Sequence, residues 1–340
     1  MQHVTLDQSP LELSGLPWYE HDGKKLWRFP KELQGQISAD LWQCSLSTSG
    51  GRIRFASDTT TLGVAADYSP YNPQEPMQNM CRIGQAGIDA YVDGVYWAGV
   101  APREEAELEA TFFEGVPKQM RQFTLHLPLY HHVAVKHLIL DDDAKLLPPA
   151  PFAVSKPVVF YGTSITQGGC ASRAGLSYQG MLCRDLNLDF VNLGFSGLGR
   201  GEAVVARAMA EIDASCYVLE FGQNNATCAE FAEVFAPFLS ILRTARPKLP
   251  IVLATPLYRS AASWNAAVAA DTEARREVVR QAYHAAIAAG DTRLYLVEGE
   301  DRISPADGAG LVDGVHPNDL GFLLMAESMK PVLRRVLGLY

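Results

Sequence analysis

The sequence lacks the features that mark several large classes of protein. Its 340 residues contain no apolar run close to the ~20 residues that a membrane-spanning helix needs. The 29 Lys and Arg residues are outnumbered by 38 Asp and Glu, so the formal net charge is −9. Because nucleic-acid backbones and anionic membrane surfaces recruit excess Lys and Arg, neither is expected as the main partner. No internal repeat or low-complexity tract is present, and a neutral small molecule fits this composition better.

Cysteines are few and have no metal-binding or redox spacing. The chain has no Cys-x-x-Cys pair among its six cysteines, Cys44, Cys81, Cys170, Cys183, Cys216 and Cys228. A chain of this length does not need disulfides, so we predict free thiols, most of them buried. The opening MQHVTLDQSPLELSGLPW has neither the basic nor the apolar region of a secretory signal, and a cytoplasmic protein is therefore expected.

The composition is that of a folded chain with about two domains, at 48% hydrophobic and 20% charged residues. Within the first 147 residues, short runs alternate apolar and polar side chains between turn residues, at 52–55, 88–92, 123–127 and 133–140. This pattern predicts an antiparallel β-sandwich, which we expect to be jelly-roll-like. The proline-rich stretch 148–156 then predicts an extended linker.

Residues 157–340 have a different hydrophobicity pattern, in which short apolar runs alternate with segments of helical periodicity. The runs are 158–161, 190–193, 217–221, 251–254 and 294–297, and the helical segments are 180–188, 203–212, 231–246, 272–289 and 318–336. This alternation predicts a parallel sheet with helices on both faces. Ligands of such sheets bind beyond the carboxyl ends of the strands, so the residues after each run are the candidates for a site.

Several of these positions carry the groups that acyl transfer from an ester requires. Ser164 follows the first run, and a serine hydroxyl is a good nucleophile only when a base takes its proton. His316 is the expected base, because an imidazole is largely neutral at pH 7. Asp313 precedes it by three residues and is placed to contact Nδ1, which leaves Nε2 facing Ser164. The backbone N–H groups of Ser164 and Gly194 and the side-chain amide of Asn224 are the predicted donors to the reaction's oxyanion.

Each of these residues alone has a simpler structural explanation. A serine between a strand and a helix is often an N-cap, Gly194 suits a tight turn, and Asn224 and Asp313 suit turns or caps. All the segments fall, however, where a parallel sheet places its ligand, and this conjunction favours catalysis.

No cofactor or metal is predicted. His131 and His132 are adjacent, but no carboxylate or thiol at ligand spacing accompanies them. The acidic triplet 141–143 lacks the spacing of a calcium loop and is expected to form a solvated turn.

Four blocks of the sequence together resemble the SGNH, or GDSL-type, hydrolase superfamily, which carries Ser, Gly, Asn and His in that order. The blocks are GTSI at 162–165, NLGFSG at 192–197, GQNN at 222–225 and DGVHP at 313–317. YGTSITQGGCASR at 161–173 and GIDAY at 87–91 are similar to a subgroup with an N-terminal β-sandwich, which extends the resemblance to nearly the whole chain. Thr163 and Asn225 stand where the family has Asp, which concerns loop packing and not proton transfer.

The resemblance implies a flavodoxin-like three-layer α/β/α domain with a five-stranded parallel sheet, and it assigns Ser164, His316 and Asp313 as the catalytic triad. An α/β-hydrolase shares the order Ser, Asp, His. That fold has Gly-x-Ser-x-Gly, however, whereas Thr166 occupies the last position here.

The substrate is less constrained by the sequence than the chemistry is. The resemblance and the aromatic residues Trp18, Tyr19, Trp97 and Tyr130 favour an acetyl ester of a carbohydrate, although sandwich core is the simpler explanation of those aromatics. Lipase or thioesterase activity, transfer to another alcohol, and a binding protein without activity are the alternatives. Five residues that follow strand ends are candidates for the substrate pocket: Cys170, Arg173, Gln223, Tyr258 and Arg259.

Overall fold

The computed structural model describes residues 1–8, 10–68, 77–103 and 106–339. Within these ranges the N-terminal part is built from ten strands and two short helices. They are β1 (Gln2–Val4), β2 (Glu12–Ser14), α1 (Ala39–Ser45), β3 (Arg52–Ser57), β4 (Leu62–Tyr68), α2 (Arg82–Ala86), β5 (Ile88–Val92), β6 (Val95–Val100), β7 (Glu107–Phe113), β8 (Arg121–His126), β9 (Val133–Leu140) and β10 (Leu146–Leu147).

The strands form two antiparallel sheets that pack around one core. One sheet has the order β1-β9-β4-β7, and the other has the order β10-β3-β8-β5-β6 with β2 beside β3. The inward positions of the alternating runs fill the core, with Ile53 and Phe55 of β3 against Val64 of β4 and Leu138 of β9. The predicted two-sheet arrangement is therefore confirmed.

The segment between β2 and β3 joins this core only in part, through Leu16, Tyr19 and Leu26, although it lies within the predicted sandwich domain 1–147. Trp18, Phe29 and the α1 residues Leu41 and Trp42 pack in the same hydrophobic cluster as the C-terminal sheet. The fully buried Arg28 holds the segment there, since it donates hydrogen bonds to the carbonyl oxygens of residues 44, 47 and 194. Neither α1 nor α2 was expected from the sequence, because both are too short to show helical periodicity.

The C-terminal part contains five strands and six helices in alternation. They are β11 (Val154–Gly162), α3 (Ser164–Gln167), α4 (Tyr178–Asp185), β12 (Leu188–Gly194), α5 (Ala203–Glu211), β13 (Cys216–Glu220), α6 (Cys228–Ala245), β14 (Ile251–Ala254), α7 (Ala266–Ala288), β15 (Leu294–Val297) and α8 (Asp319–Leu337). All five strands are parallel and have the order β12-β11-β13-β14-β15, which is the predicted flavodoxin-like arrangement.

Two details differ from the expectations. β11 begins at Val154, so the last residues of the predicted linker 148–156 belong to the parallel sheet. The short helix α3 was not predicted, because a single turn carries no periodic signal. The cysteines are free thiols as expected, and four of the six are buried.

Candidate active site

Ser164 is the first residue of α3 and lies two residues beyond Gly162, the last residue of the interior strand β11. At its carboxyl end β11 pairs through Gly162 with Gly194 of β12 on one side and Glu220 of β13 on the other. The strand order reverses at this point, which is where parallel sheets bind their ligands. Thr163 caps the helix with its side chain, so the residue that replaces the family's Asp has a structural role.

Ser164, His316 and Asp313 form a continuous chain of hydrogen bonds. Ser164 Oγ lies 2.8 Å from His316 Nε2, and His316 Nδ1 lies 2.8 Å from Asp313 Oδ2. A β-bridge between Leu311 and Pro317 closes the loop before α8, and Asp313 and His316 both lie within this loop. The structure thus brings together the three residues that the sequence nominated, with the side-chain pairing that was expected.

The carboxylate of Asp313 accepts hydrogen bonds on both oxygens. Oδ1 accepts from the backbone N–H groups of Val315 (3.0 Å) and His316 (2.8 Å), and Oδ2 accepts from the His316 ring and from Asn79 Nδ2 (2.8 Å). Partial burial would raise the pKa of Asp313, but the hydrogen bonds from His316 and Asn79 outweigh it and hold the pKa well below its ordinary range. The group is therefore ionised at any pH at which an imidazole can act as a base.

Asn79 is a site residue that the sequence analysis missed. It lies between β4 and α2 in the N-terminal part, 234 positions from Asp313. Residues 69–76, which precede this segment, are outside the described residues. No motif surrounds Asn79, and a contact between domains leaves no periodic signal in a single sequence.

Replacing Asn79 with Ala is expected to lower kcat about tenfold with KM unchanged, because the lost hydrogen bond orients Asp313 and through it His316. Asn79→Asp should instead move the acid limb of the pH profile of kcat/KM to higher pH. A second carboxylate beside Asp313 raises the pKa values of the two interacting carboxyl groups. Gln78→Ala, an exposed neighbour, is the matched control for both pH–rate profiles. A change confined to KM would show that Asn79 contacts substrate and does not position the triad.

Two predicted oxyanion donors have suitable surroundings. The N–H of Ser164 opens α3 and has no acceptor among the described residues, as is usual in a first helical turn. When the Asn224 amide is oriented so that its oxygen faces donors, Oδ1 accepts hydrogen bonds from Leu198 N–H (3.1 Å) and Gly199 N–H (3.2 Å). Nδ2 is then left to donate to a reacting oxygen.

The structure does not support Gly194 as the third donor. Its N–H already donates to Asn192 Oδ1 at 2.9 Å, and the residue packs so tightly that a Cβ would lie 2.1 Å from the backbone nitrogen of Gln167. Gly197, on the loop that follows β12, is exposed and its N–H has no acceptor among the described residues. This loop passes the nucleophile, because a Cβ on Gly199 would lie 3.3 Å from the Cα atom of Thr163.

One of the five predicted pocket residues adjoins the triad loop. Cys170 donates its N–H to the carbonyl oxygen of Pro317 (2.9 Å), directly after His316. Burial raises the pKa of its thiol to about 12, and the nearby Asp313 acts in the same direction. The thiol is therefore protonated and packs behind the site.

Three further pocket candidates have structural partners of their own. Gln223 donates to the buried Glu220 (2.7 Å), Tyr258 shares a hydrogen bond of 2.5 Å with Ser263, and Arg259 donates to Asp271 (2.8 Å). Thr166 Oγ1, on α3, also donates to Glu220 (3.2 Å). The side chain of Glu220 therefore links α3 to the end of β13. These contacts favour positioning of the loops over direct contact with substrate.

The fifth pocket candidate, Arg173, belongs to the junction between the domains. Its Nε lies 3.8 Å from Asp89 of the GIDAY segment, and Asp89 accepts a hydrogen bond from Gly175 N–H (2.9 Å). Tyr91 of the same segment occupies the space where a side chain at residue 175 would lie. Burial raises the pKa of Asp89 to about 7. The GIDAY segment therefore joins the sandwich to the loop before α4.

Only Tyr19 of the four aromatic residues lies in the sandwich core that the alternative explanation proposed, since Trp18 and Tyr130 pack in the clusters of the C-terminal sheet. Trp18, Tyr19 and Tyr130 are buried in hydrophobic cores, whereas Trp97 is 48% exposed on β6. Tyr130 packs beside the site and donates a long hydrogen bond (3.4 Å) to the carbonyl oxygen of Ser164.

Among the described residues one cluster has the spacing to hold a metal ion, formed by His21, Asp22 and Glu32. Asp22 already accepts hydrogen bonds from the His21 ring (2.7 Å) and from Lys31 N–H (2.8 Å). This geometry assigns no ion to the cluster. No helix within the described residues is long and apolar enough to cross a bilayer.

Comparison with known families agrees with this geometry. Residues 155–334 match the GDSL-like lipase/acylhydrolase family. The chain belongs to this family. Residues 1–146 match a second family, described as the N-terminus of SGNH hydrolase-type esterases. A comparison of this GDSL-like chain with curated protein sequences finds no match.

Solved structures show the same two-part architecture. A Bacteroides ovatus protein assigned as a GDSL-like lipase has 26% identical residues over 96% of each chain, with a TM-score of 0.87. The salicylyl-acyltransferase SsfX3 of a tetracycline biosynthetic pathway has 23% identity over 99% of this chain and 98% of its own, with a TM-score of 0.82. A family two carbohydrate esterase from Clostridium thermocellum, solved with cellohexaose, has 18% identity over 86% and 94%, with a TM-score of 0.65.

Proposed function

We propose that the protein is a serine esterase that hydrolyses short-chain acyl esters, O-acetyl esters of a carbohydrate in the first instance. The observation that carries the proposal is the chain of two 2.8 Å contacts from Ser164 through His316 to Asp313. A hydroxyl, a base and an orienting carboxylate in this geometry are the requirements of nucleophilic acyl transfer.

In the proposed mechanism, His316 Nε2 takes the proton of Ser164 Oγ as that oxygen attacks the ester carbonyl carbon. The charge that develops on the carbonyl oxygen is stabilised by N–H donors from Ser164, Asn224 and, in place of Gly194, Gly197. The protonated His316 then gives its proton to the leaving alkoxide, which departs as the alcohol. Water attacks the acyl-enzyme while His316 takes its proton, and His316 then returns that proton to Ser164 Oγ as the acid is released.

Two structural neighbours that act on carbohydrate esters support a carbohydrate as the alcohol component of the substrate. The Clostridium thermocellum neighbour is a carbohydrate esterase, and an acetyl xylan esterase from a rumen bacterium has the same fold at 12% identity and a TM-score of 0.64. The net charge of −9 also favours an uncharged substrate.

Transfer of the acyl group to an alcohol other than water is the second candidate. The acyltransferase SsfX3 matches nearly the whole chain, and transfer uses the same nucleophile, base and oxyanion donors. The two activities differ only in whether water or an alcohol intercepts the acyl-enzyme.

The proposal is tested with p-nitrophenyl acetate, butyrate and octanoate, followed by acetylated xylo-oligosaccharides. We expect kcat/KM to fall by about tenfold or more from acetate to octanoate, as for a site shaped for a small acyl group. Acetate release is compared with and without added alcohol, with Ser164→Ala protein as the blank. A rate that rises with chain length would indicate a lipase-like enzyme. A folded protein inert toward every ester would favour a binding protein.

A further inference from the structure

The outer face of one sandwich sheet is polar yet buried. Alternation along β3, β8 and β5 sends apolar side chains to the sandwich core and places Arg52, Arg54, Thr124, His126 and Tyr91 on the opposite face. An outer face of this kind is ordinarily in water. Here the C-terminal domain covers it, so charged groups lie inside a domain junction.

A cavity of about 370 Å³ lies within this junction. Its walls are the polar sheet face, helix α4 with the start of β12, and the chain around residues 149–152. Part of the lining is apolar and flat, from the rings of Phe152 and Phe190, on which the guanidinium groups of Arg54 and Arg52 stack. None of the residues that line it belongs to the triad or to the oxyanion donors.

Several hydrogen-bonding groups that line the cavity have no partner among the described residues. His126 is only 4% exposed, yet neither ring nitrogen takes part in a hydrogen bond. Arg184 donates to the carbonyl oxygens of Gly175 (2.9 Å) and Gly180 (3.1 Å) through Nη1 alone, which leaves Nε and Nη2 unused. The Thr124 hydroxyl is likewise without a partner. His126 is buried, whereas Arg184 and Thr124 are half-buried in the cavity wall, so these unused groups are open to a ligand or to water.

The charges around the cavity favour an anion. Arg52 is paired with Asp189 and Arg54 with Glu12, but no described carboxylate lies within ion-pair distance of Arg184. Burial, together with the nearby arginines led by Arg184, lowers the pKa of His126 well below its ordinary value, so this imidazole is neutral. The lining thus carries three arginines against one carboxylate, Asp93, and the Arg184 guanidinium has no ion-pair partner, although Asp89 and Asp185 act on its charge from a longer distance.

We propose that this cavity is a binding site for a small organic monocarboxylate with a flat apolar body. The Nε and Nη2 edge of Arg184 matches the two oxygens of a carboxylate, while the Thr124 hydroxyl and a ring N–H of His126 add donors. The phenyl rings of Phe152 and Phe190 line the space for the apolar body. The site is separate from the proposed esterase activity, because no residue is shared with it.

The test is a calorimetric titration of the full chain with benzoate, benzamide and inorganic phosphate. We expect one saturable benzoate site per chain, with benzamide about tenfold or more weaker because it lacks the charge, and phosphate weaker because it lacks the apolar body. Ser164→Ala protein should bind benzoate unchanged, whether or not the esterase proposal holds.

Arg184→Met should abolish benzoate binding, and Arg207→Met, an exposed arginine on α5, is its control. Because Arg184 also supports the loop before α4, Thr124→Val provides a milder variant that removes one donor and should weaken binding several-fold. The proposal fails if no saturable binding is seen up to about 20 mM, as expected of a water-filled gap. It also fails if benzamide binds equally well, if Arg184→Met keeps wild-type affinity, or if Ser164→Ala abolishes binding.

Discussion

Replacing Ser164 with Ala is expected to lower kcat/KM for ester hydrolysis by about 10⁴–10⁶-fold while the protein remains folded. The side chain supplies the only hydroxyl within 2.8 Å of His316 Nε2 among the described residues, so no covalent acyl-enzyme can form without it. The residual rate would come from oxyanion stabilisation and binding alone. Because Ser164 is 8% exposed and Ala is smaller, the fold has no reason to change.

The measurement is kcat/KM on p-nitrophenyl acetate, with Ser328→Ala on α8 as the matched control. A fluorophosphonate probe should label wild type at one site per chain and leave Ser164→Ala unlabelled. Labelling of the variant, or a loss of activity smaller than about tenfold, would mean that another residue is the nucleophile.

The sequence is most informative about the parallel sheet. The runs 251–254 and 294–297 coincide with β14 and β15, and the other three predicted runs fall within their strands or overrun them by one residue. Strands buried on both faces must be apolar along their length, and this is a local property that a single sequence displays. The triad was predictable for a related reason, because the ends of such strands meet at one edge of the sheet.

What the sequence could not show depends on contacts between distant segments. Arg28 and Asn79 act across the domain junction, and nothing local distinguishes them from loop residues. The prediction of Gly194 as an oxyanion donor, with no mention of Gly197, has a different explanation. Both lie in one six-residue block, and only the side chain of Asn192, folded back onto the N–H of Gly194, shows that this amide is already engaged.

Replacing Asp313 with Asn is expected to lower kcat about 10⁴-fold with little change in KM. Asp313 Oδ1 accepts two backbone N–H groups, and Oδ2 accepts the ring N–H of His316 and the amide of Asn79. All four hydrogen bonds therefore need an acceptor at residue 313. An Asn can supply an acceptor at only one of the two positions. With its oxygen on the loop backbone, its amide would donate toward Nδ1, and the proton of His316 would move to Nε2.

That tautomer cannot take the proton of Ser164, which is why the loss falls on kcat. The rates should be measured on both p-nitrophenyl acetate and the best natural ester, with Asp301→Asn, in an exposed turn before the triad, as control. If Asp313→Asn cost only about tenfold, Asn79 and the loop backbone would orient His316 adequately by themselves, and the carboxylate would contribute only a distant charge.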